Sequence, residues 1–343
     1  MTISRDKTPD FFTKRIRLWG LVIAAGVVGS IATVFSFLGA LGWFLDLFSH
    51  FRVQYFLGLS VVALLLLIPR QRKASVCFSV FAIVNLCSIL PLYWSRSEET
   101  SPTATVYRAV LINVNTRFGD ADRVTETIRK YNPDIVVLEE VSTRWISDLR
   151  SMSKSYEYSK IESREDNFGI ALYSKFPFAQ CDIAYIGDAE VPSVVAEVKM
   201  PSGRLRVIAT HPLPPTGARN SLSRNTQLAA IPQVVKQSDS PVLLLGDLNV
   251  TPWCPHFKRL LNATGLCDSS QGRGVQPTWP TNNLLLLIPI DHCLHSPDII
   301  IERKQIGSSV GSDHYPVVID FVIPLGRAKN GPTEQPIAKQ RGG

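Results

Sequence analysis

Hydrophobic and polar positions divide the chain into two unlike parts. Residues 18–45 hold no charged side chain in 28 positions and are dominated by Leu, Val, Ile, Ala, Phe and Gly. A helix needs about 20 such residues to cross the hydrocarbon core of a bilayer. Residues 53–69 form a second uncharged stretch of 17, helped by the apolar run at 64–68, and residues 74–94 form a third of 21. The pattern predicts three transmembrane helices within 18–95, joined by short connections. A cleaved leader has one short apolar region and a small-residue cleavage site, which does not describe a 28-residue stretch followed by two more.

Past residue 107 the pattern changes to short apolar runs at 109–114, 135–138, 169–173, 194–198, 205–210, 242–245, 290–293 and 317–322. Each is strand-length, rich in Val and Ile or Leu, and bounded by turn residues. Residues 123–131 and 225–235 have helical spacing, and 253–261 reads as a helix opened by Thr251 and Pro252. Strands outnumber helices without strict alternation, so an α+β class is expected, with sheet packed on sheet and helices outside. Residues 96–106 read as a linker and 326–343, rich in Gly, Pro, Lys and Gln, as a disordered tail. Between them, 107–325 is long enough for one large core.

Charge then orients the first part. The chain carries 36 Lys and Arg against 29 Asp and Glu, a net +7. Residues 1–100 hold 10 against 5, giving +5, and residues 101–343 hold 26 against 24, giving +2. Arg5, Lys7, Lys14, Arg15 and Arg17 precede the first span, and Arg70, Arg72 and Lys73 separate the second from the third. Only Arg52 and Asp46 fall between the first and second. By the positive-inside rule, residues 1–17 and the second connection are cytoplasmic, the chain leaves the third span on the outer face, and Trp43, Tyr93 and Trp94 lie at the outer interface. Two spans instead of three would leave the large domain in the cytoplasm. The near-neutral domain is a poor electrostatic track for duplex DNA, whose binding rests on several Lys and Arg contacts to phosphate. The six cysteines show no metal-ligand spacing, and no disulfide pairing follows from them.

Chemistry enters at the strand ends. Asn113 interrupts an apolar run, Glu140, His211, Asp247 and Asn249 end others, Asp291 interrupts another, and Asp313 with His314 precedes the last. An Asp after a strand is usually a turn former or a helix cap. Six strand edges delivering carboxylate, amide or imidazole groups into apolar surroundings are costly without partners, and a shared cleft holding a hard cation accounts for all of them.

The segments LINV (111–114), DIVVLEEV (134–141), TH (210–211), GDLN (246–249), IDH (290–292) and SDHYPV (312–317) resemble, in order and spacing, the endonuclease/exonuclease/phosphatase superfamily with its DNase I-like fold. The likeness covers about residues 107–323, and TPW (251–253) with TWP (278–280) further resembles a bacterial membrane-anchored branch. The resemblance implies a four-layer α/β sandwich, two packed β-sheets flanked by helices, after three transmembrane helices. It implies a Mg²⁺-dependent hydrolase of phosphate esters, with Mn²⁺ as an alternative ion. Glu140 is then the principal metal ligand, Asn113 orients it or binds a phosphoryl oxygen, and Asp313 completes the shell directly or through water. His314, partnered by Asp291, touches the phosphate or the attacking water. Asp247 orients or deprotonates that water, the choice of base between Asp247 and His314 staying open, and Asn249 holds a nonbridging oxygen. His211 stabilises the transition state or protonates the leaving group. Asn167 and Trp279 are candidate substrate contacts. Relatives often carry Gln where this chain has Glu139, which strand alternation places facing away from Glu140. Arg224 reads as a helix-surface residue, and the NLLLLI stretch (283–288) as a buried strand rather than a loop dipping toward lipid.

Three functions follow as expectations: a membrane-anchored phosphohydrolase acting outside the cytoplasm on a membrane-associated or lipid-linked phosphate ester; a surface or periplasmic nuclease of the same fold; and a retired domain used for binding.

Overall fold

The computed structural model describes residues 18–94, 104–187 and 190–323. The cytoplasmic segment 1–17, most of the expected linker and the tail lie outside the described residues.

Four helices come first: α1 (Leu18–Phe35), α2 (Trp43–Leu47), α3 (Arg52–Leu65) and α4 (Arg72–Ile89). By length and composition Leu18–Phe35, Trp43–Leu65 and Arg72–Tyr93 are candidate membrane spans. The 28-residue uncharged stretch is therefore not one helix. It ends at Phe35, and its remainder forms a 3-10 turn at Gly39–Leu41 followed by α2. Gly39 packs so closely that an added Cβ would lie 3.1 Å from the Asp46 backbone and 3.5 Å from Pro255. A polar thread ties the helices: Asn85 of α4 donates to Thr33 of α1 at 2.8 Å, and Arg52 of α3 donates to Asn85 at 3.3 Å. Arg52 and Asp46, the two charges expected in an outer loop, are both buried.

The strands are β1 (Val106–Asn113), β2 (Ile135–Glu139), β3 (Tyr158–Glu162), β4 (Ile170–Ser174), β5 (Phe178–Ala184) and β6 (Ser193–Met200). They continue with β7 (Gly203–Thr210), β8 (Val242–Asp247), β9 (Cys267–Asp268), β10 (Asp291–His295), β11 (Ile300–Ile306) and β12 (Val317–Val322). One mixed sheet has the order β11-β12-β1-β2-β4-β3 and the other β5-β6-β7-β8-β10-β9. The pairs β1/β2 and β7/β8 are parallel, each joined by a crossover helix, α5 (Ala121–Tyr131) and α7 (Ala218–Lys236). Two shorter helices, α6 (Thr143–Asp148) and α8 (Pro255–Thr264), complete the domain.

Alternation along β1 shows how the layers form. Tyr107, Ala109 and Leu111 enter the core between the sheets with Val194, Val207 and Leu245 of the second sheet. Val110 and Ile112 point the other way, onto Val124 and Ile128 of α5 and Trp145 of α6. On the far side, Ile208 and Leu244 pack on Leu228 and Ile231 of α7 and Phe257 of α8. Central strands buried on both faces read as continuous apolar runs. The outcome is the four-layer sandwich, helix, sheet, sheet, helix.

Candidate active site

The ends of β1, β2, β7, β8 and β10 and the turn before β12 meet at one end of the sandwich. Of six non-glycine residues with positive φ among the described residues, four cluster there: Asn115 (54°), Glu140 (63°), Asn167 (70°) and Asn249 (51°). Asparagine tolerates this region, but a glutamate there is strained. The local geometry turns the Glu140 carboxylate into the cleft immediately after β2. Gly246 is needed for close approach: a Cβ on it would come within 1.9 Å of the Thr210 carbonyl. Its smallness lets β7 and β8 bring His211 and Asp247 together.

All ten candidate residues converge. Glu140, Asn167, His211, Asp247, Asn249, Trp279, Asp313 and His314 line a cavity of about 580 Å³. Asn113 and Asp291 stand behind it. Asn113 Nδ2 donates to Glu140 Oε1 at 3.0 Å, and the Thr116 amide donates to Oε2 at 3.2 Å. Asp291 Oδ2 lies 2.9 Å from His314 Nδ1. His314 Nε2 and His211 Nε2 each lie 3.6 Å from Asp247 Oδ2, too far for a direct hydrogen bond and suited to an intervening oxygen. Trp279 Nε1 donates to Asp313 Oδ2 at 2.9 Å, while Asn115 Nδ2 donates to Oδ1 at 2.7 Å. Asn249 spends one amide hydrogen on the Pro212 carbonyl at 2.9 Å and keeps the second.

The electrostatics separate the titratable groups. Burial would lower His314, but the carboxylates of Asp291, Asp247 and Asp313 outweigh it and lift the imidazole to about 10. Burial raises Asp291, and the charge and hydrogen bond of His314 outweigh that and leave it below the usual range. Burial and the Asp291 carboxylate push Asp247 well up. Burial also raises Glu140 against the bonds from Asn113 and Thr116. His211 is lowered by burial, and further by His314, to about 3, so its ring is neutral. It packs against the Phe168 ring at 5.3 Å.

Glu139 corrects the reading from strand alternation. Glu140 lies past the end of the strand, and the Glu139 side chain is fully buried against the site, accepting from the Asp247 amide at 3.0 Å. Burial and the Asp247 charge raise it well above the ordinary carboxylate value. Five carboxylates thus crowd around one protonated imidazole. That excess of negative oxygen, with three carboxyls pushed upward, fits a hard divalent cation, which takes oxygen ligands. Asp247, Asp291 and His314 also offer ligand atoms within 4.8 Å of one another. However, His314 Nδ1 and Asp291 are already joined to each other, and the oxygen-rich side is that of Glu140, Asn113 and Asp313.

Other expectations are overturned. Arg224 is not on a helix surface: it is fully buried, donates to the Asp46 carboxylate near the start of the second candidate span, and donates from Nη1 to the Asn249 carbonyl at 2.9 Å. The 283–288 stretch is no buried strand, since Leu284 is 74% and Leu285 81% exposed, and only Ile288 bridges to Trp279. Residues that sequence reasoning missed include Asn115, Thr116 and Phe168, and also Leu47, His50 and Phe51, which line the same cavity from the first part of the second candidate span. Asn115 and Thr116 follow directly on the LINV motif. Nothing in the local pattern at 47–51 marks a site.

A family model described as Endonuclease/Exonuclease/phosphatase family matches residues 110–314. Among solved structures, an endonuclease/exonuclease/phosphatase from Beutenbergia cavernae DSM 12333 is similar at 20% identity and TM-score 0.52, over 64% of this chain and 72% of that one. TDP2 of D. rerio, complexed with a single-strand DNA product, is similar at 18% identity and TM-score 0.54, over 63% of this chain and 99% of that one. The human Nocturnin catalytic domain with bound sulfate is similar at 18% and 0.51, over 63% and 94%. At these identities the likeness shows the fold alone. No curated protein sequence matches the chain.

Proposed function

The chain belongs to the endonuclease/exonuclease/phosphatase family, and from that premise we propose that it is a membrane-anchored, Mg²⁺-dependent phosphohydrolase. It cleaves phosphate ester or pyrophosphate bonds of a membrane-associated substrate, with its catalytic domain outside the cytoplasm. The observation that carries the reading is the Asp291–His314 pair facing Asp247 across 3.6 Å, in a cavity that Glu140 and Asp313 also line.

Glu140 and Asp313 would hold the cation, with Asn113 fixing the Glu140 carboxylate. Bound there, Mg²⁺ or Mn²⁺ supplies Lewis-acid neutralisation of the phosphoryl oxygens. The residues around it divide the proton work. Asp247, facing His314 across 3.6 Å, would take the proton of the attacking water, and His314, held protonated by Asp291, would be the acid. A water on Asp247 attacks phosphorus. Its proton passes to Oδ2 as the new P–O bond forms and the ester P–O bond breaks, and the leaving oxygen takes the proton from His314 Nε2. Asp247 returns a proton to His314 through the bridging oxygen position, closing the cycle. Neutral His211 offers only an N–H hydrogen bond to the developing charge, as does the free amide hydrogen of Asn249.

Detergent-purified full chain incubated with plasmid, oligonucleotides and phospholipid micelles in Mg²⁺ tests the reading. Turnover of the lipid substrate, abolished by EDTA, is expected. Plasmid nicking at catalytic rates without lipid turnover would replace it with the nuclease.

A further inference from the structure

The TPW motif and residues 46–51, in the first part of the second candidate span, are not used by this chemistry, yet they meet beside the cavity. Thr251 Oγ1 lies 3.2 Å from His50 Nδ1, and Trp253 packs on Ile89 and Leu92 at the outer end of the third span. Beside them, Asp46 is sealed against Arg224 and Cys254. A buried pair of this kind holds register between two surfaces, because separating it strands two charges in apolar surroundings. The membrane segment is thus fixed to the catalytic domain, and the residues it adds to the cavity have defined positions.

Those residues are of two kinds. Leu47 and Phe51 add apolar side chains to a cavity that Leu213, Pro214 and Pro215 also line. His50 also lines it, is only 5% exposed, and leaves Nε2 without a hydrogen-bond partner. A buried polar atom of this sort costs stability unless a ligand completes it.

The cavity also adjoins the second candidate span, Trp43–Leu65, whose residues 47, 50 and 51 line it. Helix α3 has 14 residues, about 21 Å at 1.5 Å per residue, against a hydrocarbon core of about 30 Å. Even its first turn touches the domain, Gln54 Nε2 donating to the Leu287 carbonyl at 3.0 Å. That bond ties the loop carrying the exposed leucines 284–286 to the second candidate span. Leu41, Trp43 and Phe44 are exposed around the start of that span. An exposed apolar patch on such a rim marks a membrane contact.

We propose that the membrane segment completes the substrate site. The substrate is a bilayer phospholipid-type phosphate ester, its phosphate at His314 and Glu140, its polar linkage at His50 Nε2, and its hydrocarbon chain over Leu47 and Phe51. The 284–286 loop inserts into the outer leaflet and sets the mouth at the bilayer surface. This rests on the hydrolase reading for the chemistry, but not for the binding.

The test uses full chain in nanodiscs of phosphatidylethanolamine and phosphatidylglycerol, doped with a phosphatidylglycerol bearing a diazirine on one acyl chain. Cross-linking is expected on 213–215 and Phe168, inside the cavity, and is expected to fall at least fivefold in Phe51→Trp, which adds bulk to the apolar lining. Leu47→Phe serves as a second filling variant should the first not fold. Label confined to the spans and the 284–286 loop, equal in wild type and variants, overturns the proposal, as does oligonucleotide cleavage by protein whose cavity takes no label. Hydrolysis of soluble bis(4-nitrophenyl) phosphate is measured in parallel. Cavity label without hydrolysis sinks the hydrolase reading and leaves the lipid site standing; hydrolysis without cavity label does the reverse.

Discussion

The cavity has two walls of different origin. One is built from strand ends, where Glu140, Asp247, Asp291 and His314 are held by two six-stranded sheets. The other is built from the first part of the second candidate span, where Leu47, His50 and Phe51 are held beside the buried Asp46–Arg224 pair and the His50–Thr251 contact. The first wall holds the cavity's carboxylates and the strained Glu140 backbone. The second has apolar surface and one unpaired imidazole nitrogen. A reaction needs the first, and a choice of substrate needs the second, so the walls should respond differently to change.

The largest expected effect is on the strand-end wall. Asp247→Asn or His314→Gln should lower kcat on every substrate by roughly 10²- to 10⁴-fold, the usual contribution of a positioned acid or base. Thermal unfolding should stay cooperative, and retained kcat would remove both residues from the chemistry. Next comes the joint between the walls. Arg224→Leu leaves Asp46 buried and unpaired, a loss of about 3–5 kcal/mol, read as a lowered unfolding midpoint in detergent. Adding Asp46→Leu should recover most of it, and no recovery would mean that the pair does not hold the walls together. Smaller again is Asn113→Ala, which frees Glu140 Oε1. Loss of such a supporting contact weakens metal binding by about 10- to 100-fold, measured by Mn²⁺ titration, and an unchanged affinity would detach Asn113 from the ion.

The smallest effect lies beneath the strand-end wall. Glu139 has a folded-state pKa raised well above 4.5 by burial and the Asp247 charge. The folded state therefore binds the proton more tightly than the unfolded chain. Its favourable contribution is full below the unfolded value and is lost as pH rises through the folded one. Glu139→Gln should accordingly raise the unfolding midpoint of cation-free protein at neutral pH and leave it unchanged well below pH 4.5. The opposite sign would mean that Glu139 is ionised and paired.

The same two walls differ in how far sequence reveals them. Strand-end residues stand out because a carboxylate or imidazole interrupting an apolar run has few cheap explanations, and GDLN followed by SDHYPV repeats the interruption. The central strands β1, β2, β4, β6, β7, β8, β10 and β12 were readable for the same reason, since two buried faces demand apolar residues throughout. The missed strands β3, β5, β9 and β11 are the four sheet edges. Edges carry polar side chains that blunt further pairing, as in YSKIE of β3 and IIERKQI of β11. Arg224 was misplaced because its partner, Asp46, lies 178 residues earlier in a segment that reads as a short outer loop. Leu47 and Phe51 were hidden among residues apolar enough for a membrane. Tertiary pairing across that distance leaves no local periodicity, whereas a motif does.

Hydrolysis of bis(4-nitrophenyl) phosphate by the detergent-purified full chain, with Mg²⁺, with EDTA, and with Mg²⁺ restored, is the most direct test of the strand-end wall as the seat of a cation-dependent phosphohydrolase. The account predicts turnover in Mg²⁺, its loss in EDTA, its return on restoring the ion, and none under any condition for Glu140→Ala. Turnover that ignores EDTA, or that survives in Glu140→Ala, would contradict it.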